Sequence, residues 1–307
     1  MLKFITEYFG IFFIAGVLAG LFLPFSSILT PYILYMMMFV LFLSSLRMDI
    51  SEIFSKIRDL KLVIYLVLLI LVVVPAFVYF ILRGFLEPEY SLAILVLLVM
   101  PAGVAVPVYS TIFKGDKELA LIISAVTSLL CPLTIPFLIY YLAGVQTNIN
   151  FLQLFATLGM VIFVPFVLST LVRKIRESFI AKTEGYYSPV SILIVALIIA
   201  GGVAKVDVTQ FVSSGYSVIY SFLLLFVLAI LLHIIGYYIA YKKGNEIRIT
   251  ASLATAYMNS SLAIIIAAEF FGAKTLLMVA LYQIPANLVL IAFGYIVRRY
   301  LHSSINA

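Results

Sequence analysis

The sequence predicts an all-α membrane protein of about ten transmembrane helices. Of its 307 residues, 65% are hydrophobic and only 10% are charged, whereas soluble domains carry roughly 25% charged residues. Apolar stretches of about 20 residues, the length that a helix needs to cross the hydrocarbon core, recur along the whole chain. Residues 62–74, LVIYLVLLILVVV, are apolar at every position, whereas the strands of a membrane barrel alternate apolar and polar residues. Helices are therefore expected to span the bilayer.

The predicted spans follow from these apolar stretches. They lie at residues 7–25, 30–47, 61–83, 90–112, 117–143, 151–173, 187–204, 215–241, 247–270 and 275–297. The first follows Lys3, as a signal peptide would, but no small-residue cleavage signature comes after it. We therefore expect a helix of the mature protein.

The basic residues predict the orientation of these spans. With a cytoplasmic N-terminus, only Arg83, Lys205 and Lys274 of the 19 Lys and Arg residues lie on the far side. The cytoplasmic sixteen are Lys3, Arg47, Lys56, Arg58, Lys61, Lys114, Lys117, Arg173, Lys174, Arg176, Lys182, Lys242, Lys243, Arg248, Arg298 and Arg299. This bias predicts a multi-pass protein of the cell membrane with both termini in the cytoplasm. Because the net charge of +6 lies in short loops between spans, it does not indicate a nucleic-acid partner.

Residues that could carry chemistry in the membrane are few. Cys131 is the single cysteine, and His233 and His302 are too few and too far apart for a zinc site. With no nucleophile, base or metal constellation, we expect no enzyme, no bound metal and no cofactor. His233 is the one titratable candidate within a span. It has two interpretations, a hydrogen bonder that packs helices or a group that takes part in coupling, and the first is the more common.

A short internal repeat predicts two halves. Residues 113–119, FKGDKEL, match residues 270–276, FFGAKTL, at four of seven positions, and Pro31 and Pro189 fall at equivalent places. We therefore expect one five-helix repeat at residues 1–145 and a second at 146–307. Since five is odd, the second repeat must be inverted in the membrane, as in many secondary transporters that work by alternating access.

Two of the predicted spans are expected to be broken. The fourth contains Pro101, Gly103, Val106 and Pro107, and prolines remove the backbone donors on which a helix depends. The corresponding part of the ninth contains the polar run TAYMNSS, residues 255–261. Ordinary packing kinks would explain either span alone, but paired interruptions in two halves are the best pointer to a transporter's binding site.

Polar side chains in and beside these breaks complete the predicted site. Ser124, Thr127 and Ser128 share one face of the fifth span, and Gln283 and Asn287 share one face of the tenth. The hydroxyls have an alternative role, because serine and threonine commonly bond their own helix. The predicted substrate-binding residues are Pro101, Gly103, Val106, Pro107, Ser124, Ser128, Tyr257, Asn259, Ser260, Ser261, Gln283 and Asn287.

Residues 39–77, 101–144 and 257–264 resemble the bile acid:sodium symporter family. The similarity includes Pro101 with Gly103, the Lys114 to Asp116 loop, and a hydroxyl-rich fifth helix from Ser124 to Pro132. It implies a core of spans 3–5 and 8–10, in which the fourth and ninth helices cross, and a panel of spans 1, 2, 6 and 7. It also implies organic anions as substrates, among them bile acids and small carboxylates, with two coupled sodium ions. Residues 280–294, ALYQIPANLVLIAFG, resemble the sodium-independent auxin efflux carriers, which share the fold.

The family's ion-binding positions are largely lost in this chain. They fall at Ile70, Val106, Pro107, Ala120, Ala254 and Met258, which have apolar side chains, while Ser124 keeps a hydroxyl and Asn259 keeps the family's asparagine. Because sodium needs a shell of several oxygen ligands, we expect no sodium coupling.

The leading hypothesis is therefore a sodium-independent secondary transporter of a small organic solute, with membrane lipid as its surroundings. The alternative is a receptor or lipid-binding scaffold that does not transport. A channel is left open, although no ring of charged filter residues is present.

Overall fold

The computed structural model describes residues 9–46, 57, 59–143, 151–204, 218–271 and 273–301. Several predicted features lie outside these residues: the ends of some spans at residues 7–8, 47 and 215–217, the boundary between the repeats at 145–146, His302, and the basic residues Lys3, Arg47, Lys56, Arg58 and Lys205. The described part of the chain is helical and forms no β-strand. Ala102 and Met258 form an isolated antiparallel bridge.

Each of the ten predicted segments contains a helix, and we number the helices to match. They are α1 (Phe9–Phe22), α2 (Ile33–Ser45), α3 (Leu60–Leu82), α4a (Pro88–Leu98), α4b (Val106–Ile112), α5 (Lys117–Ala143), α6 (151–175), α7 (177–203), α8 (Val218–Ile239), α9a (Asn245–Ala256), α9b (Ser260–Phe270), α10a (Ala273–Leu281) and α10b (Gln283–Ile296). A 3₁₀ helix, Pro24–Tyr32, precedes α2, and a π-helical turn, Leu69–Val73, lies inside α3.

The lengths of these helices fit a transmembrane fold. Within the described residues, six helices are long and apolar enough to cross a bilayer: Phe25–Ser45, Leu60–Leu82, Lys117–Ala143, Phe155–Val203, Ile219–Ile239 and Lys274–Arg299. Two shorter apolar helices are α4a and α9b, and each is one half of a predicted span that the structure breaks. The fold is all-α and transmembrane, as predicted.

Helices α6 and α7 differ from the prediction in the segment that joins them. The sequence predicts a loop at residues 174–186, but the backbone is helical there apart from Arg176, whose φ of −132° and ψ of 39° mark a kink. This segment is polar, so it lacks the hydropathy of a membrane span, yet Lys, Arg, Glu and Ala are good helix formers. Hydropathy therefore locates the two spans but does not detect the helix that continues between them.

The helices pack in two sets. Helices α1 and α2 and the 3₁₀ helix pack mainly against α6 and α7, while α8 packs against α9a and α10b, and α5 against α4b and α9a. Small residues allow the closest approach in the first set, because a Cβ at Gly16 would lie 2.5 Å from the Ala196 carbonyl oxygen. Such small-residue contacts are common between membrane helices. The predicted panel and core, and the division into inverted repeats, stay predictions.

The loop from Lys114 to Asp116 fixes α4b, α5 and α9a together. Lys114 has a positive φ of 55°, and the N–H of Gly115 donates to the Ser110 carbonyl at 2.7 Å, which ends α4b. The Asp116 carboxylate accepts the N–H of Leu119 at 2.9 Å and caps the start of α5. The Thr250 hydroxyl of α9a donates to the Asp116 carbonyl at 3.1 Å. The loop therefore connects these three helices through hydrogen bonds.

Candidate functional site

Helix 4 is broken at residues 99–105, between α4a and α4b. Val99 ends α4a, and the helical hydrogen bonds resume only at Val106, where Pro107 occupies the first turn of α4b. Neither Pro101 nor Pro107 has an N–H to donate, so neither can continue a helix from the preceding turn. The predicted break is confirmed.

Helix 9 is broken at Tyr257–Asn259 without any proline. Tyr257 leaves the helical region with φ −103° and ψ 81°, and Asn259 has φ −72° and ψ 84°. The side-chain oxygen of Asn259 accepts the N–H of Leu262 at 3.1 Å, which is the bond made by an N-cap residue. Asn259 therefore begins α9b as a capping residue in mid-membrane, and this second predicted break is also confirmed.

The two breaks cross and bond each other through their backbones. The N–H of Gly103 donates to the Tyr257 carbonyl at 2.7 Å, and the N–H of Asn259 donates to the Pro101 carbonyl at 2.8 Å. Ala102 and Met258 lie opposite each other between these bonds. Each unwound segment thereby supplies partners that the other lacks, and unwound backbone at bilayer depth requires such partners. We call residues 101–103 and 257–259 the crossing.

Glycine allows a close approach at one position of the crossing. A Cβ at Gly103 would lie 3.0 Å from the Tyr257 carbonyl oxygen and 3.1 Å from that of Met258. A side chain there would be tightly packed, and the backbone of residues 257–258 would have to move by a few tenths of an ångström.

Hydroxyls of α5 support the helix 4 side of the crossing. The Thr127 hydroxyl accepts the N–H of Ala102 at 3.2 Å while it donates to the Ile123 carbonyl at 2.7 Å. The Ser124 hydroxyl donates to the Gly103 carbonyl at 3.3 Å. Thr127 is fully buried and Ser124 nearly so. These two hydroxyls stabilise the unwound backbone.

Two tyrosines support the helix 9 side of the crossing. The Tyr257 hydroxyl donates to the Ala286 carbonyl of α10b at 2.9 Å, and the Tyr282 hydroxyl donates to the Ala256 carbonyl at 2.9 Å. The two bonds run in opposite directions between helices 9 and 10. The sequence prediction included Tyr257 but missed Tyr282, because an isolated tyrosine in an apolar helix carries no signal of its partner.

The remaining predicted residues surround the crossing and differ in exposure. Asn287 lies 3.4 Å from the Tyr257 hydroxyl and donates to the Gln283 carbonyl at 2.6 Å. Pro101, Gly103, Val106 and Pro107 are buried, whereas Ser128, Asn259, Ser260, Ser261, Gln283 and Asn287 are partly exposed. The partly exposed group is the one that a solute could reach.

Not every predicted residue contacts the crossing by a hydrogen bond. Ser128 donates to the Ser124 carbonyl of its own helix at 2.7 Å, as the alternative interpretation of the hydroxyls expected. The Ser260 hydroxyl donates to the Met258 carbonyl at 3.4 Å. Pro107 and Ser261 lie in the first turns of α4b and α9b, next to the crossing.

An aromatic cluster lies behind the crossing. The Tyr109 ring of α4b packs at 4.8 Å from the Tyr257 ring, and His233 of α8 lies 6.2 Å from Tyr257 and 4.5 Å from Phe293. His233 is only 5% exposed. Tyr109 was not predicted, since nothing in the local sequence indicates its contact with helix 9.

The positions that correspond to the ion-binding residues of the resembling family have apolar side chains and lie in an apolar environment. Ile70, Val106, Ala120, Ala254 and Met258 are all buried, and Ile70 lies in the π-helical turn of α3. Within the described ranges, no three His, Cys, Asp or Glu residues are grouped as metal ligands would be. Of the oxygens at the crossing, the carbonyls of Pro101, Gly103 and Tyr257 each accept a hydrogen bond within the protein.

Comparison with known proteins places these features in a family. The profile of the SBF-like CPA transporter family matches residues 7–300, nearly the whole chain. The chain is also 23% identical over 192 residues to the probable sodium/metabolite cotransporter BASS1, chloroplastic, of Oryza sativa subsp. japonica. That match covers 60% of this chain and 45% of the relative, so the chain spans about half the length of the curated relative it matches.

Proposed function

Since the chain belongs to the SBF-like CPA transporter family, we propose that it is a secondary transporter of a small organic anion and that it is not coupled to sodium. The family assigns it to transporters rather than enzymes and makes it a multi-pass integral membrane protein. The substrate class and the absence of sodium coupling are our own inferences from the residues around the crossing.

The crossing is the observation that carries the proposal. The half-helix α9b begins at it, and the N-terminus of a helix carries partial positive charge that favours anionic groups. In other secondary transporters, the N-termini of broken helices point at the anionic part of the substrate. Asn259 and Asn287 are partly exposed amides beside this place, and Ser260 and Ser261 add hydroxyls. An anion with an apolar body fits this combination of polar groups and apolar walls.

The absence of sodium coupling is proposed from the donor set. The Gly103 carbonyl accepts from Ser124, the Tyr257 carbonyl from Gly103, and the Pro101 carbonyl from Asn259. Each of these carbonyls has already used one of its two lone pairs, and the side chains that provide sodium's oxygen ligands in the resembling family are replaced by apolar ones. The relative's name includes sodium, so coupling is the point on which the two proteins are proposed to differ.

Orientation and mechanism complete the proposal. The sixteen-to-three distribution of basic residues supports a place in the cell membrane with both termini in the cytoplasm. The two sets of packed helices support alternating access, in which the core moves against the panel around the crossing.

Transport by the purified chain in proteoliposomes tests the proposal. We expect labelled taurocholate, a bile acid, or labelled pyruvate, a small carboxylate, to enter faster than into empty liposomes, and equally fast in sodium and in potassium buffer. An uptake rate that rises strongly with sodium would contradict the sodium-independent mechanism. The Gly103→Val variant, in which the crossing is overpacked, is the expected inactive control.

One observation favours a second function, a lipid-binding scaffold that does not transport. The breaks satisfy each other's backbone groups, and Thr127 and Tyr282 add further bonds, so the crossing is complete without any solute. If purified protein retained a lipid-like molecule between the helix sets and neither probe exchanged across the membrane, the scaffold would replace the transporter.

A further inference from the structure

His233 lies inside the helical core, about 9 Å from the end of α8 at Ile239, given a rise of 1.5 Å per residue. That end is the cytoplasmic one in the proposed orientation. The side chain is 5% exposed and lies between two rings, stacked on Phe293 and edge-on to Tyr257. The contact with Ser252 of α9a explains one ring nitrogen as a hydrogen bonder between helices, but it leaves the second ring nitrogen unexplained.

The hydrogen bonds of Ser252 determine which ring nitrogen carries the proton. The Ser252 hydroxyl donates its single hydrogen to the His233 carbonyl at 2.8 Å. The same oxygen lies 3.0 Å from Nδ1 of His233. Because the serine hydrogen is already used, Nδ1 must be the donor in that contact and must carry the ring proton. The neutral ring is therefore the Nδ1–H tautomer, with a basic lone pair on Nε2.

That lone pair is buried and unused. Nε2 of His233 has no hydrogen-bond partner among the residues that the structure describes. A buried polar atom without a partner costs free energy and calls for an explanation, and a functional role is one of the few available. Nε2 is the stronger base of a histidine held in this tautomer, so the ligand that it suits best is a proton.

The surroundings of the ring make its charge depend on conformation. Ser252 contacts it from α9a, Tyr257 from the crossing and Phe293 from α10b, and none of these carries a charge. Tyr109 of α4b is the next titratable group, behind Tyr257, and Arg248 of α9a stacks on Tyr237, one turn along α8. An imidazolium without a carboxylate beside it is unfavourable in such a place. Protonation therefore favours a conformation in which Nε2 reaches water or an anion.

We propose that Nε2 of His233 is the proton-binding site that couples this transporter to a proton gradient. The idea rests on the proposed function, since it supplies the energy source that sodium would otherwise provide. A proton from water adds to the Nε2 lone pair when the core opens, and it leaves from the same nitrogen on the opposite side, with no covalent change in the solute. A protonated imidazolium and a monovalent organic anion together carry no net charge across the membrane.

Tyr257 links the proton site to the solute site. Its ring contacts His233, its carbonyl accepts from Gly103, and its hydroxyl bonds α10b. A movement of the imidazole therefore displaces the residue with which the helix 9 break begins. Allosteric coupling requires such a shared element with two arrangements.

The decisive variant is His233→Asn. The amide N–H of an asparagine can donate to the Ser252 hydroxyl in place of Nδ1–H, but an asparagine has no basic nitrogen. In proteoliposomes without an ion gradient, the exchange rate of labelled taurocholate or pyruvate is measured for wild type and for His233→Asn, and the accumulation by each protein is normalised to its own exchange rate. With the bath one pH unit more acidic than the lumen, wild type should accumulate the probe up to about tenfold, which is the limit for one proton per solute. His233→Asn should reach only the level set by exchange.

The outcomes separate the two proposals. Accumulation by His233→Asn equal to that of wild type would overturn the proton site and leave the transporter intact. Exchange by wild type without any response to the pH gradient would do the same. Absence of exchange in wild type would contradict the proposed function, and the proton site would then be decided by spectroscopy.

NMR of the histidine ring nitrogens provides that second measurement, and it needs no solute. The chain has two histidines, His233 and His302, so histidine-labelled protein and the His233→Asn variant assign both signals. We expect the Nδ1–H tautomer near neutral pH and protonation of Nε2 as the pH falls. An Nε2–H tautomer, or a ring that stays neutral at every pH at which the protein remains folded, would overturn the proposal.

Discussion

The two breaks of the crossing reach the same geometry by different chemistry. The helix 4 break relies on residues that cannot continue a helix, Pro101 and Pro107, with Gly103 to allow close approach. The helix 9 break has no proline and relies on capping by Asn259 and on anchoring by Tyr257 and Tyr282. The first break is imposed by its own prolines and is stabilised by Thr127 and Ser124 of α5. The second, without a proline, depends on bonds to its neighbours. We therefore expect the helix 9 break to be the more sensitive to loss of side-chain partners.

The largest effect is expected at Gly103, where both breaks meet. In Gly103→Val, the new Cβ would lie within 3.0 to 3.1 Å of two carbonyl oxygens, so the backbone bond to Tyr257 must lengthen or break. Overpacking of this kind costs about 1–3 kcal/mol, and we expect transport to be abolished. The matched control is Gly159→Val in α6, because no heavy atom of the described residues, apart from its own helix backbone, lies within 4 Å of its Cβ position. Thermal unfolding in detergent and probe exchange in proteoliposomes measure both variants, and equal behaviour of the two would contradict this account of the crossing.

The next largest effect is expected when a tyrosine that anchors the helix 9 break loses its hydroxyl. Tyr282→Phe removes the donor to the Ala256 carbonyl, which is fully buried beside it. An acceptor left without its partner costs about 1–3 kcal/mol. Tyr35→Phe is the control, since Tyr35 is 68% exposed. We expect a lower free energy of unfolding for Tyr282→Phe alone, and an unchanged value would show that the break does not depend on α10.

A smaller effect is expected at the cap of α9b. Asn259→Ala removes the oxygen that accepts the N–H of Leu262, and loss of an N-cap costs about 0.5–2 kcal/mol. Asn259→Ser can accept the same N–H and should restore most of the stability. A denaturant titration of the three proteins distinguishes capping from solute binding, because a role in binding alone would lower transport in both variants without changing stability.

The sequence predicted the fold and the breaks but not the contacts that hold them. Hydropathy located ten helical segments, and the prolines of helix 4 located its break, because proline acts through its own backbone. The helix 9 break was predicted from the polar run and from its equivalence to the helix 4 break. Its anchor Tyr282 was missed because its partner Ala256 is 26 residues away. The tautomer of His233 likewise depends on Ser252, which lies on another helix. Pairings between helices are set by tertiary packing, which no local pattern records.

The smallest effect is expected at Pro107, although it stands in the more strongly interrupted helix. Pro107 lies in the first turn of α4b, where a helix does not need an N–H from that residue. In Pro107→Ala, the break should persist, because Pro101, Gly103 and the bonds to helix 9 are unchanged. The free energy of unfolding should fall by about 0.4–1 kcal/mol, because the unfolded chain gains conformational freedom without the proline. The same denaturant titration compares Pro107→Ala with Asn259→Ala. A smaller loss of stability in Pro107→Ala supports the view that the helix 9 break is the more sensitive to loss of side-chain partners. A larger loss would mean that Pro107 itself, rather than the backbone pairing at the crossing, keeps helix 4 open.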